Sequence, residues 1–414
     1  MSEGVAGSGS AAPAPRATPV PEPTARPSTP ARRVLLVRLL VVGLVLAGAS
    51  AFVLARAAAV EGGLGAFPLV GRSQAPGPVA EGVTVHRSGY DGQYYLRLAQ
   101  DPFGTARVSA GQTLDHPAYR AQRIGYPALA WAADRLPGVT PTRALVGVNV
   151  LALGLVAWFG SGIAVRAGRS PALGAALAVL PYAVVAVARD TAEPVFVAAL
   201  LGAVLALRTR RHGWAAVALA AAVLTREQAV LAVVAAGAVA LAAPRPERRA
   251  RLLPLGLVLA GFVAWQAVLT VRWGEVPVLS GPANGGLPFA GIVDVVSADL
   301  AASTSHVVSL LIAATLLVGA APLVPLARRV AGEGASAVLA RDAVPALWAA
   351  ALVLAVLLTK AVWVDPNAFS RATADLTVTA LVVLAGMRGR AVWPATAVLL
   401  AASTWLLVQR IGDL

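Results

Sequence analysis

The chain has 414 residues, 58% of them hydrophobic and only 13% charged, with a formal net charge of +14 and a mean hydropathy of +0.73. An ordinary soluble domain carries about 25% charged residues, so the composition excludes a soluble globular protein and indicates a polytopic membrane protein. Nucleic acid is not the partner that the charge implies, because the basic residues stand at the ends of apolar runs, and the absence of cysteine excludes disulfides, thiolate metal sites and cysteine nucleophiles.

Residues 1–31 are rich in Pro, Ala, Ser and Thr and poor in large apolar side chains, which predicts a disordered cytoplasmic tail. The apolar run after Arg32, Arg33 and Arg38 continues to about Ala59, long enough to cross a bilayer. The arginines ahead of it place the N-terminus in the cytoplasm. Residues 60–142 form the largest polar segment, a first external loop expected to carry short interfacial helices. Further spans are expected at about 143–165, 171–188, 191–207, 213–225, 228–243, 252–271, 304–326, 342–362, 371–387 and 391–409. A second external loop covers 272–303, and the C-terminus falls outside. The expected fold is therefore all-α, a bundle of about 11 transmembrane helices forming one domain over 32–414.

Charge supports this topology. Arg166, Arg169, Arg208, Arg210, Arg211, Arg245, Arg248, Arg249, Arg251, Arg328, Arg329, Arg341, Arg388 and Arg390 all fall on the expected cytoplasmic side. Thr225-Arg226-Glu227 interrupts a run too short for two full crossings, so half-length or broken helices are the alternative there. No fixed-period repeat is visible.

The polar groups left on the external side include Asp91, Arg189-Asp190, Glu193, Arg226-Glu227, Lys360, Asp365 and Arg371. Charges at a membrane boundary must be paired or wet, so their recurrence on one side suggests either anchoring and capping or a shared site. Asp91, in Ser88-Gly89-Tyr90-Asp91-Gly92-Gln93-Tyr94-Tyr95, is either a helix N-cap or a general base for an acceptor hydroxyl. Asp190 and Glu193 lie three apart, and Pro194 suits a first helical turn, so capping and function compete there too. The two carboxylates would also suit a divalent cation such as Mg or Mn, although no tight Asp-x-Asp pair marks a dedicated site. Arg226, Lys360 and Arg371 are candidate phosphate ligands, with an ion pair as the alternative for Arg226 and snorkelling for Arg371. His116 reads as a loop residue without metal-ligand spacing. Gly160-Ser161-Gly162 lies inside an apolar span and is no nucleophile elbow, and no glycine-rich stretch carries a phosphate-loop lysine.

Three pieces, in order and on one expected side, carry a resemblance. Tyr90-Asp91-Gly92-Gln93-Tyr94-Tyr95 resembles the W-D-G-x-[YF] signature of the glycosylphosphatidylinositol second-mannosyltransferase family and of related bacterial membrane proteins, within the GT-C class of glycosyltransferases. Thr191-Ala192-Glu193-Pro194-Val195-Phe196 is similar to its T-E-x-L-F segment, and Leu224-Thr225-Arg226-Glu227 to its A-T-R segment. Tyr90 stands where the signature has tryptophan, and Pro194 follows the glutamate in place of a small or polar residue. The resemblance implies an enzyme of the bacterial plasma membrane that moves a sugar from a polyprenyl-phosphate carrier to a hydroxyl of a glycan, lipid or protein acceptor. It implies that Asp91 is the base and that Arg226 and Arg371, with Lys360 as a third candidate, neutralise the phosphate. Gln93, Tyr94, Tyr95, Arg123, Asp190 and Glu193 would then bind or orient substrate. The competing expectations are a transporter or lipid-carrier flippase, whose mark would be internal repeats or matched broken helices, and a non-catalytic scaffold.

Overall fold

The computed structural model describes residues 31–302 and 306–412, and these are predominantly helical. The tail expected over 1–31 lies outside the described residues except for Ala31, which opens α1 (Ala31–Ala59). The segment that follows holds two minimal strand pairs, β1 (Val70–Gly71) parallel to β2 (Val85–His86) and β3 (Val108–Ser109) antiparallel to β4 (Gln112–Thr113). It also holds three short helices, α2 (Gly92–Gln100), α3 (Pro117–Ala121) and α4 (Gly125–Ala133). The long helix α5 (Pro141–Arg166) starts where the sequence dictates: Pro141 occupies the first turn, and Thr140 accepts a hydrogen bond from the Arg143 amide.

The bundle continues through α6 (Ala172–Ala178), α7 (Pro181–Arg189), α8 (Glu193–Arg208), α9 (His212–Thr225), α10 (Ala229–Leu241) and α11 (Arg245–Trp273). Beyond it come α12 (Pro277–Ser280), α13 (Ala290–Ala301), α14 (Val307–Ala320), α15 (Leu323–Glu333) and α16 (Ala335–Arg341). The last five are α17 (Val344–Val356), α18 (Lys360–Trp363), α19 (Pro366–Ala372), α20 (Ala374–Ala385) and α21 (Val392–Gly412). Helix α5 is the central post, packed against α1, α6 and α8. Small residues let backbones approach there: a Cβ on Gly160 would sit 3.0 Å from the Gly174 Cα.

The span count differs from expectation. Among the described residues, five stretches are long and apolar enough to cross a membrane: Ala31–Ala59, Pro141–Arg166, Arg245–Trp273, Val307–Glu333 and Val392–Ile411. The count reaches eight if each of three bent pairs is one span: α6 with α7 (49°), α16 with α17 (106°) and α19 with α20 (51°). It does not reach 11. The expected crossings at 213–225 and 228–243 are helices of 14 and 13 residues. At about 1.5 Å per residue such helices reach about 20 Å, short of a hydrocarbon core of about 30 Å. The span expected at 191–207 is a 16-residue helix opening on a fully buried glutamate.

Two ends of the bundle differ in charge. The C-terminal ends of α7, α9 and α11 and the N-terminal ends of α8, α10 and α20 lie with α2 and α3 at one end. At the other, Arg38 donates to the Trp158 carbonyl (2.9 Å), Arg169 to the Ala385 carbonyl (3.0 Å), and Arg208 pairs with Asp342 (2.6 Å).

Gly92 fixes α2 against the membrane helices. A Cβ there would lie 2.2 Å from the carbonyl oxygen of Arg189 and 2.8 Å from that of Pro68. Only a residue without a Cβ lets α2 rest directly on the end of α7. Gly92→Ala is expected to destabilise the protein by about 1–3 kcal/mol through overpacking, read as a lower thermal midpoint in detergent. An unchanged midpoint would show that α2 is not held by this contact.

Candidate functional site

Asp91 occupies the N-cap position of α2, yet its side chain makes no capping hydrogen bond. Its carboxylate turns instead to two arginines. One oxygen accepts from Arg120 of α3 at 3.0 Å, and the other lies 3.0 Å from Arg371 of α19. Arg120 also grips Asp115 at 2.8 Å, and its guanidinium lies 3.8 Å from the Tyr94 ring centroid. Tyr94 donates to Asp115 at 2.6 Å, so Tyr94 and Asp115 hold Arg120 in place.

Arg371 bridges two acids. Its Nε donates to Glu193 at 2.9 Å while another of its nitrogens faces Asp91. Glu193 is wholly buried at the start of α8, and the same carboxylate oxygen accepts from Arg226 at the end of α9. Its second oxygen accepts from Thr191 at 2.5 Å. Helix order explains the meeting: α8 begins, α9 ends and α19 turns into α20 at this end of the bundle. A carboxylate in the first turn of α8 is also favoured by the helix dipole. A sixth pair flanks these, with Arg123 forking onto Glu227 at 2.7 and 2.6 Å and donating to the Tyr119 hydroxyl.

Four carboxylates (Asp91, Asp115, Glu193, Glu227) thus meet four guanidiniums (Arg120, Arg123, Arg226, Arg371) in one array. Burial alone would push the Asp91 carboxyl up, but Arg371, then Arg120 and Arg123, outweigh it and hold the group well below the usual carboxylate range. Burial raises the neighbouring Tyr90 phenol to about 12, which keeps it neutral, and its ring centroid lies 5.2 Å from the Arg371 guanidinium. Asp91 is the accessible acid beside Arg371, with a side chain 30% exposed against 0% for Glu193.

The other expected site residues lie elsewhere. Gln93 accepts from the Gly71 amide at 2.9 Å and pins α2 to β1. Tyr95 is buried below the array, edge-on to Tyr126 at 5.4 Å. Asp190 is fully buried in a left-handed turn (φ +49°), and neither carboxylate oxygen accepts a hydrogen bond among the described residues; its charged neighbour is Arg56. Lys360 is exposed on α18 and joins none of these pairs. Arg120, Asp115 and Glu227 are the members the sequence did not assign to the site. The available signal was Arg120 three residues before Arg123, a spacing that brings two arginines close together around the end of α3.

The donor set does not suit the divalent cation considered from sequence. Both Glu193 oxygens are taken by arginine or threonine donors, and among the described residues no three His, Cys, Asp or Glu side chains converge as ligands.

A buried amide supports the array from behind. Asn149 of α5 donates to the Tyr126 hydroxyl at 2.8 Å and to the Thr191 carbonyl at 3.1 Å, fixing the turn that presents Glu193. Asn149→Leu leaves that carbonyl without its donor and is expected to destabilise the fold by about 1–3 kcal/mol. A thermal midpoint matching wild type would refute this bracing role.

No protein-family model matches the chain, and comparison with curated proteins and with solved structures finds no significant match for it.

Proposed function

We propose that the chain is a GT-C-type membrane glycosyltransferase, moving a sugar from a polyprenyl-phosphate carrier to an acceptor hydroxyl at the external face of a bacterial plasma membrane. The observation that carries this reading is the state of Asp91. It stands at a helix N-terminus without capping it, partly exposed, and shares Arg371 with the wholly buried Glu193. A capping aspartate has no need of two guanidiniums.

The geometry suits a charge exchange. Asp91 takes the proton of the acceptor hydroxyl as its oxygen attacks the anomeric carbon. The bond from that carbon to the phosphate oxygen breaks, and polyprenyl phosphate departs with one more negative charge than the donor phosphodiester held. Asp91 becomes neutral in the same step and releases its hold on Arg371. That guanidinium, still anchored by Glu193, is then free to meet the charge growing on the phosphate, where preorganised donors contribute most, with Arg226 on the same glutamate as the second cation. In-line displacement inverts the anomeric carbon. Proton transfer to a positioned base contributes about 10²–10⁴-fold.

An apolar groove of about 790 Å³ between α1, α6, α7 and α21 offers a place for the polyprenyl chain. It reaches Val187, two residues short of Arg189, whose carbonyl meets Gly92. The breaks in α6–α7 and α19–α20 favour one second reading, a lipid-carrier flippase or transporter, because broken helices also build transport sites. Purified protein in nanodiscs with a panel of polyprenyl-phosphate sugars and acceptors separates the two. Release of polyprenyl phosphate with sugar transfer supports the transferase. Donor movement across vesicles without release would replace it by the flippase.

A further inference from the structure

We propose that a second pocket, at the end of the bundle opposite Asp91, binds a phosphate group. The pocket lies where the end of α8, the end of α10, the start of α11 and the α16–α17 turn meet, and it encloses about 280 Å³. Arg208, Arg210, His212, Arg251, Arg341 and Asp342 form its polar wall, and α10 alanines and a valine, with Leu255 of α11, its apolar base.

Ion pairs account for three of the four arginines: Arg208 with Asp342 at 2.6 Å, Arg251 with Glu247, and Arg341 with Glu333. Arg210 makes no ion pair among the described residues. It also occupies a left-handed position (φ +57°) just past α8, where the Arg210 amide returns to the Leu207 carbonyl and the Arg211 amide to the Ala206 carbonyl. Glycine is the usual residue there, so an arginine is kept against the backbone preference. Arg251 has a buried Nε–H with no hydrogen-bond partner among the described residues.

Helix capping does not explain the group. Cations in the last turns of α8 and α16 suit the helix dipole, but Arg251, the arginine of α11 that lines the pocket, stands near the beginning of its helix, where the dipole disfavours it. An anion between these elements relieves that repulsion. Arginine forks match phosphate oxygens, and the apolar base suits the first carbons of an attached chain. The volume lies just under the usual range of about 300–1,000 Å³ for ligand pockets, which fits a head group and not a whole lipid. The shared chemistry is a phosphate oxyanion, from either an anionic phospholipid or soluble phosphate. This site does not depend on the transferase reading.

The test uses the full chain in phosphatidylcholine nanodiscs. One arm adds phosphatidylglycerol and measures its retention by native mass spectrometry. The other adds inorganic phosphate alone and measures thermal stabilisation. Wild type is expected to retain phosphatidylglycerol over phosphatidylcholine. Arg210→Gln and Arg251→Gln should each lower that preference by about tenfold, the effect of one charge-assisted hydrogen bond. Arg135→Gln, at the other end, should leave it unchanged. Protection by inorganic phosphate without lipid preference, lost in the same variants, would assign the site to the soluble anion. Should Arg251→Gln fail to fold, the exposed Arg210 carries the test. Neither lipid preference nor phosphate protection in wild type, or an equal loss in Arg135→Gln, would overturn the proposal.

Discussion

Asp91→Asn is expected to lower kcat by about 10²–10⁴-fold in a protein that still folds, the range for loss of a positioned general base. Asparagine keeps the shape and can still face Arg120 and Arg371, but it cannot take the acceptor proton. The pH profile carries a sharper expectation. In the free protein Asp91 is held below the usual carboxylate range despite its burial, chiefly by Arg371. It is therefore ionised throughout the neutral range, and kcat/KM should show no acid limb from this group above about pH 5. Once bound donor phosphate shares Arg371 with Asp91, the stabilisation of the carboxylate weakens and its pKa rises. The acid limb of kcat should therefore lie at higher pH than that of kcat/KM. Coincident limbs would show that Arg371 does not change partners, and full activity in Asp91→Asn would remove the base.

Arg371→Gln should have the second largest effect, on stability and turnover together. Arg371 is 4% exposed and ties Asp91 to Glu193. Removing one partner from a buried charge pair typically destabilises by about 3–5 kcal/mol. The lower end is expected, because Glu193 keeps Arg226 and Asp91 keeps Arg120. Turnover should fall by about 10²–10³-fold, the scale of losing one donor aimed at developing negative charge. Arg371→Lys separates the two effects. It keeps the charge and much of the stability, but a single ammonium cannot span both carboxylates. Recovered stability with turnover still reduced would support the bridging role; recovery of both would show that charge alone matters.

Much of this was legible in the sequence, for reasons that can be named. Asp91-Gly92 at the start of an amphipathic run marks a helix N-terminus, and Gly92 is required by the close approach of Arg189. The choice between cap and site was not legible, because it rests on Arg120 and Arg371, 29 and 280 positions away in the chain. Local patterning constrains a residue's neighbours along the helix but not its partners across a bundle. Gln93 illustrates the same limit: the resemblance implied a substrate contact, whereas its partner is a strand amide in the preceding loop. Lys360, a candidate phosphate ligand by sequence, lies exposed at the start of α18. Hydropathy averages over bends as well. Pro181 and Thr373 mark breaks inside runs that read as continuous spans, whereas the division of 213–243 into two helices too short to cross alone is the half-length alternative that Thr225-Arg226-Glu227 had offered.

The most direct measurement is the equilibrium affinity of Asp91→Asn for a polyprenyl-phosphate sugar, set beside wild type in the same nanodiscs. Removing the negative charge that competes for Arg371 leaves the array with four guanidiniums and three carboxylates. The donor should therefore bind at least as tightly as to wild type, while turnover is lost. Weaker donor binding by a well-folded Asp91→Asn protein would contradict the account, because Asp91 would then be holding the site together and not exchanging its arginine with the phosphate.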